Sequence, residues 1–221
     1  MYLAVTDGDL LTKRQWALVT HMVMTQYGFK TGVKCFGDCA KAATAKELKQ
    51  LHDRVAFTPQ DPTKLTHDQR RQALEAIMTV KHKRDDTIKG RMCADGRKQR
   101  GTMRKEETAS ATVSMDSVFI ATTLESMERR RTCVVNLPGA YLSVYMDDEE
   151  EVLMVLPDNL AELMALAAPE VYRDHIAVTS DGRTVLYVKL CKALYGCLKS
   201  ALLLYRKLWG DLRQQGFVMN P

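Results

Sequence analysis

No apolar run in this sequence approaches the roughly 20 residues of a membrane-spanning helix, so no transmembrane segment is expected. The stretch from Met1 to Leu11 lacks the basic flank and apolar block of a secretory signal. An intracellular chain, in cytoplasm or nucleus, is the expectation. Close-paired cysteines are missing too. Cys35 and Cys39 have no second pair at zinc-site spacing, and Cys93, Cys133, Cys191 and Cys197 are scattered. No metal site is expected from them; buried free thiols in a reducing compartment are. Internal repeats, low-complexity tracts and Gly/Ser linkers are also absent, which favours one continuous folding unit.

What is present suits a globular domain. With 221 residues the chain can bury a sizeable core, and 46% hydrophobic with 27% charged residues is ordinary for a soluble protein. The net charge of +5 is unevenly spread. Between Lys64 and Lys105 stand 13 Lys and Arg against 5 Asp and Glu, a local +8 that leaves −3 on the rest of the chain. A concentrated basic block on a slightly acidic chain points to a polyanionic partner, nucleic acid or nucleotide phosphates, with a solvated Lys-rich surface as the alternative.

Periodicity gives a coarse map. Residues 1–40 form an unassigned N-terminal segment, with a short helix conceivable around Trp16–Met24. Leu48, Leu51 and Val55 recur at helical spacing and predict a helix over Ala42–Val55 with that face inward. Thr66 with Gln69 is a capping-box signature for a second helix running to Ala73-Leu74. Ala76–Val80 and Thr87–Cys93 flank a polar tip and predict a β-hairpin with basic arms. Ser114 is placed to cap a helix to about Met127 that buries Val118, Ala121 and Leu124, closed by Arg129–Arg131. Strands are expected over Thr132–Leu137 and Glu151–Leu156, then a helix over Leu160–Ala168. Ile176–Thr179 and Thr184–Leu190 flank the turn Ser180-Asp181-Gly182. The longest helix pattern, Leu194–Gln215, stops at Gly216, and its Leu202–Leu204 and Leu208 read as core. Elements interleaved without a βαβ rhythm indicate an α+β fold.

Three segments in order carry a resemblance. They are Ile88–Gln99, then Val135-Asn136-Leu137-Pro138-Gly139-Ala140-Tyr141-Leu142, then Val188–Gly196 with Leu203–Leu208. The string Lys192-Ala193-Leu194-Tyr195-Gly196 is the most specific of them. Together they resemble the reverse transcriptases of copia-type retrotransposons, with weaker likeness from about Lys46 to the C-terminus. The resemblance implies the fingers (about 41–130) and the start of the palm (about 131–221) of a right-hand polymerase. It also implies a family reaction in which deoxynucleotides are added to a primer on an RNA or DNA template, with Mg²⁺ held mainly by aspartates. Template-primer, deoxynucleoside triphosphate and other segments of a parent polyprotein are the implied partners.

The same resemblance assigns site positions. Lys89, Arg91 and Arg97 fall where family fingers contact the incoming triphosphate. Which of them points inward is open, because a one-residue register slip reverses a strand's face. Tyr141 occupies the position of an aromatic that blocks a ribose 2′-OH, with simple ring packing as the alternative. Gly196 and Lys199 match the start of a helix that contacts nucleotide and template, although the family often has Gln in place of Lys199. Asn136 stands where the family has its first metal-binding aspartate, and a neutral amide holds Mg²⁺ far more weakly than a carboxylate. The family's later Tyr-x-Asp-Asp hairpin has no counterpart before Pro221. Tyr145-Met146-Asp147-Asp148 spells such a box but precedes the Leu-Tyr-Gly segment and runs into Glu149–Glu151, so it reads as a charged loop. The expectation is a catalytically inactive polymerase fragment. A basic RNA-binding module, or one half of a polymerase completed by another segment, are the alternatives. Missing palm strands would expose a sheet edge and an apolar helix face, so poor solubility or a partly molten C-terminal half is expected.

Overall fold

The computed structural model describes residues 26–218 apart from 84, 102, 105, 107, 111, 132 and 148–150. The segment preceding residue 26, where a short helix was conceivable, lies outside the described residues, as do Thr132 and Asp148–Glu150.

β1 (Tyr27–Gly28) leads directly into α1 (Phe29–Asp53). This helix begins 13 residues before the expected one and crosses the boundary drawn at residue 40. It is interrupted at Gly37, whose backbone leaves helical geometry at φ 53°. Only glycine adopts that conformation readily, and two helical stretches meet there at a kink. Leu48 and Leu51 are buried as expected. Val55 is not: it lies beyond the helix with φ 51° and is 57% exposed. Its N–H donates to His52 O and that of Ala56 to Leu51 O, the double bond pattern of a left-handed helix stop.

β2 (Phe57–Pro59) follows, then α2 (His67–Gln72). Thr66 and Gln69 form the full reciprocal capping box. α2 ends at Gln72 rather than Leu74 because Leu74 already pairs in β3 (Leu74–His82). The hairpin of β3 with β4 (Ile88–Ala94) is as expected, from Ala76 opposite Ala94 to His82 opposite Ile88. A 3₁₀ turn spans Gly96–Gly101, and α3 covers Met115–Met127 with Ser117 N–H donating to Ser114 Oγ at 3.1 Å. None of its residues is buried, contrary to the inward face expected for Val118, Ala121 and Leu124. Residues 133–137, expected as a strand, carry no strand and are exposed.

A 3₁₀ turn at Ala140–Ser143 precedes β5 (Leu153–Pro157) and α4 (Asn159–Ala167). α4 ends one residue before the expected Ala168, and Pro169 opens the short α5 (Pro169–Tyr172). β6 (Ile176–Val178) and β7 (Thr184–Leu190) form the second hairpin, with Gly182 at φ 79° in its turn. α6 (Ser200–Gln214) starts six residues later than expected, because residues 194–199 are spent in turns. It stops at Gly216 in the left-handed conformation, as expected.

These strands make one mixed sheet. β4 pairs with β3, and the other edge of β3 pairs with β5 (parallel) near Leu74 and with β1 near Val80. β5 pairs antiparallel with β7, whose far edge is shared by β2 and β6. The architecture is therefore a mixed sheet with several helices. The main core lies between this sheet and α1 and α4, around Leu48, Leu51, Met92, Met154, Leu156, Met164 and Leu186. A smaller cluster of Leu65, Ala73, Leu153, Val185 and Tyr187 covers the other face. Leu203 and Leu204 pack at half burial against the main core, while Leu208 is 39% exposed. Cys197 is the one buried free thiol among the described cysteines; Cys35, Cys39 and Cys133 are exposed, contrary to expectation. No described helix is long and apolar enough to cross a membrane.

Two backbone contacts tie the first hairpin to the turn before α6. A Cβ on Gly196 (φ 89°) would overlap the Ala94 carbonyl oxygen, and one on Gly96 would overlap the Gly196 carbonyl oxygen. Gly196→Ala is therefore expected to cost about 3 kcal/mol, from left-handed strain and overpacking together. Gly210→Ala in α6, with nothing within 4 Å of the new methyl group, should instead add up to about 1 kcal/mol of helix propensity. Urea midpoints of the two variants against the parent chain check both signs.

Tyr172, 1% exposed, meets His52 Nδ1 through its hydroxyl at 3.2 Å and stands edge-on to Phe57. Burial, and secondarily the charge on Cys191, pushes its phenol up from 10.0 to about 12. The folded state thus holds this proton more tightly than the unfolded chain. The stabilisation is complete below pH 10 and disappears as pH rises towards 12. Tyr172→Phe should remove that part of the alkaline loss, read as a flatter stability-versus-pH curve in urea titrations above pH 10.

Candidate nucleic-acid interface

Alternation along the first hairpin decides which basic side chains face together. Leu74, Ala76, Met78 and Val80 on β3, and Gly90, Met92 and Ala94 on β4, are buried beneath α1. The opposite face therefore carries Ile77, Thr79 and Lys81 beside Cys93, Arg91 and Lys89, which are their register partners. Gly90 must be small for this arrangement, since a Cβ there would overlap the Ala43 carbonyl of α1. Lys89 and Arg91 thus share the open face, which answers the register question left by the sequence, and Lys81 joins them.

Arg91 is positioned further by aromatic contact. Its guanidinium carbon lies 4.7 Å from the centre of the Tyr195 ring, and Tyr141 meets Tyr195 edge-on with centroids 4.6 Å apart. The Tyr195 carbonyl accepts the Ala94 N–H at 2.7 Å, so the ring is fixed at the end of β4. The Leu-Tyr-Gly turn is braced from below. Ser200 Oγ accepts the Leu194 N–H at 3.1 Å and donates to the Leu194 carbonyl at 2.7 Å, while Gln99 Oε1 accepts the Leu198 N–H at 3.0 Å. Tyr141 reaches the cluster from the 3₁₀ turn that starts after Gly139, where φ is 63° and the Arg54 guanidinium packs close.

Charge around this cluster is balanced from one side. Glu47 on α1 is half-buried and accepts the Met92 N–H at 3.3 Å. Burial raises its carboxyl above the usual range, opposed by that hydrogen bond and by Lys89, Arg91 and Arg54. Cys93 is likewise held up by burial, with Arg91 opposing and Glu47 adding to the rise. Lys89 and Arg91 thus act on this carboxylate through space, with no ion pair among the described contacts.

The other named residues divide. Arg97 is 78% exposed in its side chain but bound to Asp95 through Nε and Nη2 at 2.5–2.9 Å, and it holds that carboxyl below its usual range. Lys98 donates to the carbonyls of Arg71 and Ala73, both at 2.8 Å, and so closes the end of α2. Gly196 forms the tight contact described above, and Lys199 occupies the cap position of α6 at half burial. Asn136 stands exposed in the irregular stretch that follows α3. The structure thus brings Arg91 and Tyr141 together through Tyr195, with Lys89 on the same face, and leaves Arg97 in a local pair. Tyr195 and Lys81 were not singled out from the sequence. The signal for Tyr195 was its place beside Gly196; that for Lys81 appears only once the strand register is known.

Mg²⁺ would need anionic oxygens converging on one point. Asn136 offers a neutral amide, and among the described residues no group of three or more His, Cys, Asp or Glu side chains is placed to hold a metal ion. Tyr145 of the acidic box is 71% exposed beneath the Lys192 ammonium, and Asp147 is also exposed. The described donor set does not fit a divalent ion.

The chain matches no protein-family model, no curated protein and no solved structure.

Proposed function

We propose that this chain is a nucleic-acid-binding module related to the fingers and first palm segment of copia-type reverse transcriptases, and that it does not itself polymerise. The observation that supports this reading is the shared face of Lys81, Lys89 and Arg91, with Arg91 laid over Tyr195 and Tyr141 at its edge. Strand cations spaced two residues apart suit successive phosphates, and aromatic rings beside them suit bases of a single strand. A fixed guanidinium also loses less freedom on meeting a phosphate than a free one does.

Polymerisation is a separate matter of charge. Two-metal phosphoryl transfer depends on carboxylates that hold the ions and offset the developing charge. Asn136 removes one of those charges at the position where the resemblance expects it, and its exposure gives it no low-dielectric setting in which an amide could compensate.

The test is filter binding of a single-stranded RNA at a series of salt concentrations, beside primer extension with Mg²⁺ on the same template. Binding is expected to weaken linearly with log salt, and Lys89→Ala/Arg91→Ala should reduce that slope by about 1.4. Lys89 is exposed and Arg91 half-buried over the Tyr195 ring, so the double substitution should cost no more than about 1 kcal/mol in urea unfolding. Salt-independent binding, or a slope unchanged by the substitutions, would sink the interface. Extension above background would sink the claim of inactivity.

A further inference from the structure

Outside the candidate interface, the least explained feature is α3. Its 13 residues include Met115, Phe119, Ile120, Leu124 and Met127, exposed by 66%, 61%, 61%, 49% and 76%. Val113 before it, and Val134, Val135 and Leu137 after it, are exposed as well. Contiguous apolar surface on this scale marks a contact site. An unsupported helix of this length is also marginal in water, so its formation calls for a partner.

The pattern of charge says what that partner is. At about 100° per residue, Asp116, Ile120, Thr123 and Met127 fall within a narrow stripe, flanked by Phe119 on one side and Leu124 on the other. Glu125 lies about 180° from Asp116, on the opposite side of the helix. The stripe thus has an acid in its first turn and is followed, just past its last turn, by Arg129, Arg130 and Arg131. Glu128 is paired with Arg130 and does not cancel the remaining two. A stripe that is negative at one end and positive at the other complements itself when reversed.

We infer that α3 pairs antiparallel with α3 of a second copy of this chain, about a two-fold axis near Thr123 and Leu124. That axis sets Ile120 of each copy against Met127 of the other, and Asp116 of each against the other's Arg129–Arg131. Every favourable contact then occurs twice, as two-fold symmetry requires. A parallel arrangement would instead place like charges together, and the helix dipoles would repel. The pairing also covers Phe119 and Leu124 along the two rims.

Sedimentation equilibrium of the full chain across the micromolar range tests this. The parent chain should form a discrete dimer, and Ile120→Asp should abolish it. Asp116→Arg alone, and Arg129→Glu/Arg131→Glu alone, should each weaken the dimer about tenfold or more, because each puts like charges together at two sites. All three changes combined should restore the dimer, which no loss of folding could mimic. A parent chain that stays monomeric, open-ended aggregation, a dimer that survives Ile120→Asp, or a combined variant as weak as its parts would each overturn the inference.

Discussion

The structure depends on one place where two backbones meet with no side chain between them. Gly96 and Gly196 come from segments a hundred residues apart, and each presses on a carbonyl that a Cβ would overlap. Because Gly196 lies at φ 89°, the turn can double back tightly enough for the Tyr195 carbonyl to accept the Ala94 N–H. That contact anchors the end of β4, the start of α6 and the Tyr195 ring at once. Ser200 and Gln99 then satisfy the backbone groups that the turn leaves over, so the anchor is closed rather than strained open. The backbone of the tyrosine under Arg91 is therefore held by main chain, with the Ser200 and Gln99 side chains closing the turn around it.

A basic segment is not a basic surface, and the hairpin shows why. The excess of cations between Lys64 and Lys105 suggested a polyanion site from composition alone. The fold draws part of that charge into its own support: Lys98 closes α2 and Arg97 is bound by Asp95. What remains on the open face is set by strand parity. Lys81, Lys89 and Arg91 face one way because Val80, Gly90 and Met92 must face the other, beneath α1. Burial of apolar residues thus chooses which face is open, and the cations follow.

Local signals were legible wherever a few neighbouring residues decide the outcome. The Thr66–Gln69 capping box, the Ser114 cap, the Gly182 turn and the Gly216 stop all act within one turn of chain, and all are present. Misreadings fall where a distant partner decides. Val55 continues the Leu48–Leu51 spacing but is used as a left-handed stop, a role usually taken by glycine, because Ala56 must leave at once towards β2. The start of α1 was hidden by Gly32 and Gly37. Gly32 is there because Val80 fills the space its side chain would take, which no local pattern reveals. Residues 133–137 have strand composition yet pair with no strand and stand exposed, because composition alone does not supply the partner a strand requires. Of the candidate site, the motif positions of Arg91 and Tyr141 were readable, but the Tyr195 ring that joins them was visible only in three dimensions.

The exposed apolar stretch and the candidate interface adjoin in the chain, and this bears on how each behaves. Leu137 ends the uncovered segment, and Tyr141 enters the aromatic cluster four residues later. Between them stands Gly139, whose left-handed backbone lies against the Arg54 guanidinium at the end of α1. Pinned there, the 3₁₀ turn at Ala140–Ser143 keeps Tyr141 in place whether or not residues 133–137 are covered. The Ala193 N–H donating to Val144, and the Met146 N–H donating to Cys191, hold the far side of the same turn. The Tyr141–Tyr195 pair is thus held by main-chain bonds on one flank of the turn and by the Gly139–Arg54 contact on the other.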